Sequence, residues 1–535
     1  MELRNLNKLE KKASHNSRVD FTRLGAAMLF MFAVLVYATA HTDGLHSPFL
    51  STQLVIAALI GAYMAMNIGA NDVANNMGPT VGSKALTMAG AIAIAAAFEM
   101  LGAVVAGGDV VATVKSGIID PSLVDSSEEF VLIMMSALLA GALWLNLATV
   151  LGAPVSTTHS IVGAVMGAGI ASGGLNVVQW LKLTEIVSSW VISPLLGGVL
   201  AAVMLYMIKR TITYKKEMTK AAIKVVPLLV AFMAWAFCCY MLIKGLGASF
   251  SLELRYAVLV ALPVAVTVFL IVRVVATRTA IRKENSKESV NALFGVPLIF
   301  SAALLSFAHG ANDVANAIGP LAAINETLVD GALSQEARIP LWIMLLGAAG
   351  LALGLALYGP KLIKTVGGEI TDLDKMRAYC IAMSAALTVI LASWLGMPVS
   401  TTHVAIGAVF GVGFLREYLK SSHARMIELI VRAHEGEARS RMEAYLARFN
   451  AAPLAHKERM LNAMKKKEER KKAKALASND PLFSKKERKV LKRAYKNELV
   501  KRSAVNKIVA AWLITVPVAA LLSALLYFVI GAILL

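Results

Sequence analysis

Residues 69–79 read GANDVANNMGP and residues 310–320 read GANDVANAIGP, nearly the same string repeated 241 positions later. A second string, PVSTTH, occupies 154–159 and returns at 398–403, 244 positions later. Both PVSTTH copies run into glycine-rich segments in which Gly163, Gly167 and Gly169 match Gly407, Gly411 and Gly413. Two motif pairs at nearly one spacing make the chain, over roughly 52–208 and 291–534, one unit written twice.

The surroundings of these strings set the class. Of 535 residues, 57% are hydrophobic and 16% charged, and the mean hydropathy is +0.66. Soluble domains run nearer ~45–50% and ~25%. The run FVLIMMSALLAGALWLNLATVLG at 130–152 exceeds the ~20 helical residues that cross a hydrocarbon layer. Hydropathy predicts spans at 22–40, 52–68, 84–107, 130–151, 154–173, 185–208, 222–244, 253–275, 291–309, 340–360, 376–397, 398–416 and 507–534. Disordered, collagenous and single-soluble-enzyme readings are excluded. Cys238, Cys239 and Cys380 all fall inside apolar spans with no metal-ligand spacing, so neither a disulfide framework nor a zinc site is expected.

Charge gives sidedness. Loops 209–220 and 273–288 are basic and are expected in the cytoplasm, whereas 118–129, 245–252 and 321–339 are acidic or uncharged and are expected outside. The spans leading into the two GANDVAN strings then enter from opposite sides. This predicts an all-α polytopic membrane protein: an inverted-topology repeat of about five to six spans per half, with broken helices at the paired motifs and one extra N-terminal span. Of the net charge of +19, +14 lies in residues 420–505, which hold 24 Lys/Arg against 10 Asp/Glu. That pattern fits a cytoplasmic loop beside anionic lipid and not a nucleic-acid surface. Two helical stretches are expected there, interrupted at Asn479-Asp480-Pro481.

The domain plan is a basic leader and N-terminal span (1–50), a first repeat (51–208), two connecting spans (209–290), a second repeat (291–419), the basic insertion (420–505) and a final span (506–535). The N-terminal span ends in Ala38-Thr39-Ala40, which resembles a signal-peptidase site, but the leader is long and an uncleaved anchor is expected.

Asp72 and Asp313 close membrane spans and are flanked by Asn71, Asn75, Asn312 and Asn316. An aspartate near the bilayer centre costs ~2.5–3.5 kcal/mol even on a mild scale, so its presence in both halves needs a reason. Carboxylate and amide oxygens with freed carbonyls describe a site for a hard monovalent cation, at least two per molecule. The Pro-Val-Ser-Thr-Thr strings suit the opposite partner. Proline starts helices, and serine and threonine cap them. A half-helix beginning there would aim free N–H groups at an anion such as phosphate. Lys84, Lys115 and Lys361 lie at span ends, so no basic side chain is well placed to neutralise that anion. The bound cations would complete its site, and cation and anion would move together. Glu99, inside FEMLGA, has no acidic counterpart in the second half and is assigned to coupling. His159 and His403 close the STTH strings; helix-end hydrogen bonding is expected of them, and no catalytic metal.

At these residues the sequence resembles the inorganic phosphate transporter (PiT) family, over about 52–208 and 291–534. The resemblance implies a secondary active symporter importing inorganic phosphate with sodium ions or protons across the cytoplasmic membrane. It is not an enzyme and has no cofactor beyond the co-transported ion. It implies Asn71, Asp72, Asn312 and Asp313 in cation and phosphate binding, with Ser156, Thr157, Thr158, Ser400, Thr401 and Thr402 around the phosphate. Glu99 matches a glutamate that matters for transport in relatives. Many members carry another glutamate before the second PVSTTH string, where Ala382 stands here; this bears on the number of coupling ions. The GANDVAN wording is closer to the sodium-coupled branch. Expected partners are inorganic phosphate, a monovalent cation and the lipid bilayer, with a homodimer as a candidate assembly and no nucleic acid. The alternatives are a sulfate or metal-phosphate/proton symporter of the same fold, or a phosphate-sensing receptor.

Overall fold

The computed structural model describes residues 2–42, 45, 47–153, 155–245, 252–280, 284–331, 339–369, 373–432, 436–451, 460 and 502–534. Among them helix dominates and no strand appears. The order is α1 (Glu2–Thr39), α2 (Pro48–Gly82), α3 (Met88–Ala106), α4 (Gly108–Ser116), α5 (Ser127–Leu151), α6 (Thr157–Gly173) and α7 (Trp180–Ile208). Then come α8 (Met218–Tyr240), α9 (Leu254–Val260), α10 (Leu262–Ala280), α11 (Lys287–Leu293), α12 (Gly295–Asp313) and α13 (Ala315–Asp330). The chain continues with α14 (Leu341–Glu369), α15 (Lys375–Trp394), α16 (Thr401–Arg432), α17 (Gly436–Ala451) and α18 (Arg502–Leu534). Residues 1–412 and 503–535 form one compact unit and 413–502 another. Within the second, α17 is described, whereas the interruption predicted at 479–481 lies outside the described residues.

Eleven stretches among the described residues are long and apolar enough to cross a membrane. They correspond to eleven of the thirteen predicted spans. The other two begin at the PVSTTH strings and belong to α6 and α16. Helix α6 has 17 residues and starts after Ser156, a residue with no exposed surface, so it begins inside the protein and not at a membrane face. Ser156 and Ser400 have the side-chain role expected of caps: their Oγ atoms accept from the N–H groups of His159 (3.1 Å) and His403 (3.3 Å).

The GANDVAN strings lie at the centre. Every residue from Met64 to Thr80 and from Ser301 to Ile324 is buried, and a helix buried on all sides is an interior helix. The two copies differ in continuity. The first does not break: α2 carries on through it, past Pro79, to Gly82. The second is interrupted only at Val314, between α12 and α13.

Close packing repeats across the halves. Helix α14 runs along α2, and α3 along α12. A Cβ at Gly69 would collide with the Leu351 carbonyl, and one at Gly310 with the Glu99 carbonyl. Likewise Gly354 sits on Met66, and Gly102 on Phe307. The same holds farther out: Gly163 and Gly167 of α6 meet Val516 and Ala520 of α18, while Gly407 and Gly411 of α16 meet Pro194 and Gly198 of α7. In each case a helix of one half is sealed by a helix of the other. Small residues of this kind let helix backbones approach where lipid removes any hydrophobic drive to associate.

Candidate functional site

Asn71 and Asp72 are neighbours on α2, and roughly 100° of helical turn sends their side chains in different directions. Asn71 Nδ2 donates to Thr149 Oγ1 (3.0 Å) and to the Ala153 carbonyl (3.3 Å), while its Oδ1 accepts from the Val155 N–H at 3.3 Å. Asn312 does the same in the second half. Its Nδ2 donates to Ser393 Oγ and the Met397 carbonyl, each at 3.1 Å, and its Oδ1 accepts from the Val399 N–H at 3.2 Å. Each asparagine therefore pins the segment that launches a half-helix.

Asp72 and the two outer asparagines turn toward the other half, whereas Asp313 is bonded within its own. Asn75 Nδ2 donates to Thr402 Oγ1 (2.8 Å) and Asp72 Oδ1 (3.2 Å), and Thr402 Oγ1 donates to Asp72 Oδ1 at 3.0 Å. The Thr402 hydroxyl also faces the Val155 carbonyl at 3.4 Å. In mirror fashion, Asn316 Nδ2 donates to Thr158 Oγ1 (3.2 Å) and Thr157 Oγ1 (3.3 Å), and Thr158 Oγ1 donates to the Val399 carbonyl at 3.0 Å. Thr401 Oγ1 donates to Asp313 Oδ2 at 2.7 Å. The structure thus brings together Asp72, Asn75 and Thr402, and also Asn316, Thr157 and Thr158, with Asp313 and Thr401 beside them. All are at most 4% exposed.

Glu99 joins this cluster through two residues that motif matching does not find. Asn76 Nδ2 donates to Glu99 Oε1 at 2.8 Å. His309 lies with Nδ1 3.2 Å from Glu99 Oε1, Nε2 3.0 Å from Asp313 Oδ2 and Nε2 3.7 Å from Asp72 Oδ2. All four side chains are fully buried. The His309 ring thus stands between two carboxyls, one near each ring nitrogen. The signal was in the sequence: an ionisable residue inside an apolar span is a functional-site hypothesis by default. Motif matching passes over His309 because the matching position of the first half is Ile68.

Chemically, one imidazole faces three carboxyls in a fully buried interior. Asp72 Oδ2, Asp313 Oδ1, Glu99 Oε2 and Asn316 Oδ1 accept no hydrogen bond. Such oxygens suit hard cations, which take oxygen ligands. Donor atoms of Asp72, His309 and Asp313 lie within 4.8 Å of one another, so cations placed here would sense both halves. Beside these acids stand the first turns of α6 and α16, where the N–H groups of Thr157, Thr158, Thr401 and Thr402 have no acceptor within their own helix. The motif histidines lie between the half-helices: the His159 and His403 rings meet edge-on at 4.4 Å, with Trp190 3.8 Å from His159. Lys115 is not at an exposed span end. It is buried in an ion pair with Glu326 at 2.6 Å.

The model of a family described as "Phosphate transporter family" matches residues 68–523, which include every residue of this cluster. The chain belongs to that family. This transporter is 52% identical over 542 aligned residues to a Helicobacter pylori (strain J99) protein named "Putative phosphate permease", covering 99% of each chain. A Pyrococcus furiosus protein named "Putative phosphate permease PF1020" is 38% identical over 365 residues, 68% of this chain and 87% of its own. Among solved structures, one titled "The sodium-dependent phosphate transporter" superposes with a TM-score of 0.72 at 32% identity, covering 90% of this chain and all of that one. The transporter is a multi-pass membrane protein and not an enzyme.

Proposed function

We propose that this phosphate transporter is a symporter that imports inorganic phosphate with sodium ions, the two half-helix N-termini receiving the phosphate and the buried aspartates the cations. One observation carries the reading. Each aspartate–asparagine pair lies against the PVSTTH threonines, and Asn75 and Asn316 reach threonines of the opposite half. A cation at Asp72 would touch the same threonines whose backbone amides would face phosphate, so each ion completes the other's site. Phosphate without cations would meet three carboxyls and one imidazole, an arrangement that repels it.

Sodium is favoured because the free donors are oxygens, and because a solved relative with the same fold is titled sodium-dependent. A second reading, proton coupling, has its own observation: the Glu99–His309–Asp313 chain at 3.2 and 3.0 Å is a route along which a proton can be passed. On either reading, we assign Asn71 and Asn312 to holding the half-helices and not to touching phosphate. The test is uptake of labelled phosphate into proteoliposomes under an imposed sodium gradient, then under a proton gradient, with excess sulfate as competitor. Sodium-driven uptake that sulfate does not compete supports the proposal. Proton-driven uptake indifferent to sodium transfers the mechanism to the His309 chain.

A further inference from the structure

His309 and Glu99 are acid and imidazole that the repeat does not supply twice. The position of His309 is Ile68 in the first half, and the packing counterpart of Glu99 is Leu351. The two face each other, with Nδ1 of the ring 3.2 Å from Glu99 Oε1. A carboxylate beside one ring nitrogen holds the proton there and turns the other nitrogen outward as a ligand. In that tautomer the Nε2 lone pair of His309 faces Asp313 Oδ2 at 3.0 Å and Asp72 Oδ2 at 3.7 Å. A lone pair against two carboxylates calls for a cation between them. None of these side chains has exposed surface.

The spacing suits a metal. Tetrahedral zinc holds nitrogen and oxygen ligands at about 2.0–2.2 Å, which sets the ligand atoms ~3.3 Å apart. The observed 3.0 and 3.7 Å bracket that value, and all three donor atoms lie within 4.8 Å of one another. Asp72 is already oriented: its Oδ1 accepts from Asn75 and Thr402, while its Oδ2, though buried, accepts no hydrogen bond. Sodium, magnesium and calcium take oxygen ligands, whereas an imidazole nitrogen in the set favours d-block ions. Behind the ring, Asn76 Nδ2 donates to Glu99 Oε1 at 2.8 Å and fixes the carboxylate that orients the ligand.

We propose that Asp72, His309 and Asp313 form a binding site for one d-block divalent cation, such as zinc or cobalt, with Glu99 holding the ring, and that the bound ion arrests transport. Such an ion ties α2 of one half to α12 of the other. The arrest rests on the proposed function, in which the same carboxylates release their cations in every cycle; the binding does not. The site is single, because the imidazole and its supporting acid occur once, whereas the aspartate–asparagine pairs occur twice.

The experiment adds Co2+ to the purified full-length chain in detergent and reads its visible d–d absorption, with Zn2+ as competitor. One Co2+ per chain should bind and Zn2+ should displace it. His309→Gln should lose the band, and Glu99→Gln should keep it with affinity ~10–100-fold lower. Glu99→Gln retains an acceptor for Asn76 and decides the case if His309→Gln does not fold. His41→Gln, at an exposed histidine, should bind as the wild type does. In proteoliposomes, Zn2+ at its binding concentration should halve phosphate uptake under whichever gradient drives it, EDTA should reverse this, and equal Mg2+ should have no effect. A band unchanged in the Glu99 and His309 variants, or lost in His41→Gln, would overturn the site. Uptake undisturbed by bound zinc, or labelled zinc accumulating in the vesicles with phosphate, would overturn the arrest. Uptake driven by protons instead of sodium would revise the coupling ion and leave each of these criteria as it stands.

Discussion

The two halves of the site share a backbone plan and differ in charge. Around Asp72 the plan reads Ile68, Asn75 and Asn76; around Asp313 it reads His309, Asn316 and Ala317. The packing partner of Gly310 is Glu99, whereas that of Gly69 is Leu351. Asn71 and Asn312 make matching sets of hydrogen bonds, and Asn75 and Asn316 reach across to Thr402 and Thr158 alike. The scaffold is duplicated, but the extra acid, the imidazole and Asn76 all gather at one pole, where α3 meets α12. Repeat symmetry thus supplies two equivalent receptacles, and substitutions off the motif make them inequivalent. Under the proposed function, cations in the two halves would meet different surroundings and bind with unequal strength.

That comparison can be broken most forcefully at the carboxylates. Asp72→Asn and Asp313→Asn should each cut cation-driven phosphate uptake by ~100-fold or more, the ratio matching ~3–5 kcal/mol for a lost buried charge partner. Retained uptake in either would remove that half from the coupling site. The next test makes the halves alike. His309→Ile writes the first half's residue into the second and leaves Glu99 and Asp313 with only the neutral donors Asn76 and Thr401, so thermal unfolding should report a loss of about 3–5 kcal/mol. Adding Glu99→Leu, the residue at its packing counterpart, should restore part of this, with a coupling of ~1–3 kcal/mol. Strict additivity would show that His309 and Glu99 do not act as a unit.

Smaller effects test the symmetric part. Gly69→Ala and Gly310→Ala each push a methyl into a backbone carbonyl and should cost ~1–3 kcal/mol or more, by similar amounts in the two halves. Asn71→Ala and Asn312→Ala should each cost ~1–3 kcal/mol for the polar groups left without partners. A difference between these two much larger than ~0.5 kcal/mol would mean that the matched hydrogen bonds do not carry matched strain. Unfolding midpoints of the purified variants decide both cases.

Much of this was legible before any coordinates. Hydropathy located the crossing helices because twenty apolar residues in a row have few alternatives, and the repeated strings marked the centre because polar residues there are costly. Hydropathy alone did not give the depth at which α6 and α16 begin, since an apolar run looks the same whether it starts at a membrane face or inside the protein. The Pro-Val-Ser-Thr-Thr caps marked these starts as half-helices. The continuity of α2 was not legible. The charged GANDVAN string reads as the end of a span, yet α14 lies along the helix and the opposite half satisfies its polar groups, so it continues to Gly82. The directions of Asn71 and Asp72 depend on helix rotation relative to neighbours, which a linear string does not contain. His309 was visible, but only to a reading that attends to differences between the repeats as closely as to their identities.

The crossing of the halves also sets a timetable. Asn316 and Val399, the partners of Thr158, lie far downstream of it, and Asn75 waits for Thr402. At ~5–20 residues per second, the 244 positions between Thr158 and Thr402 take about 12–50 s to synthesise. Throughout that interval Asp72, Asn75 and the first half-helix are in the nascent chain without the groups that complete them. A half-made chain of this transporter is therefore a species with buried polar residues still unpartnered. Ribosome pausing or truncation between the repeats should deliver such chains to membrane quality control.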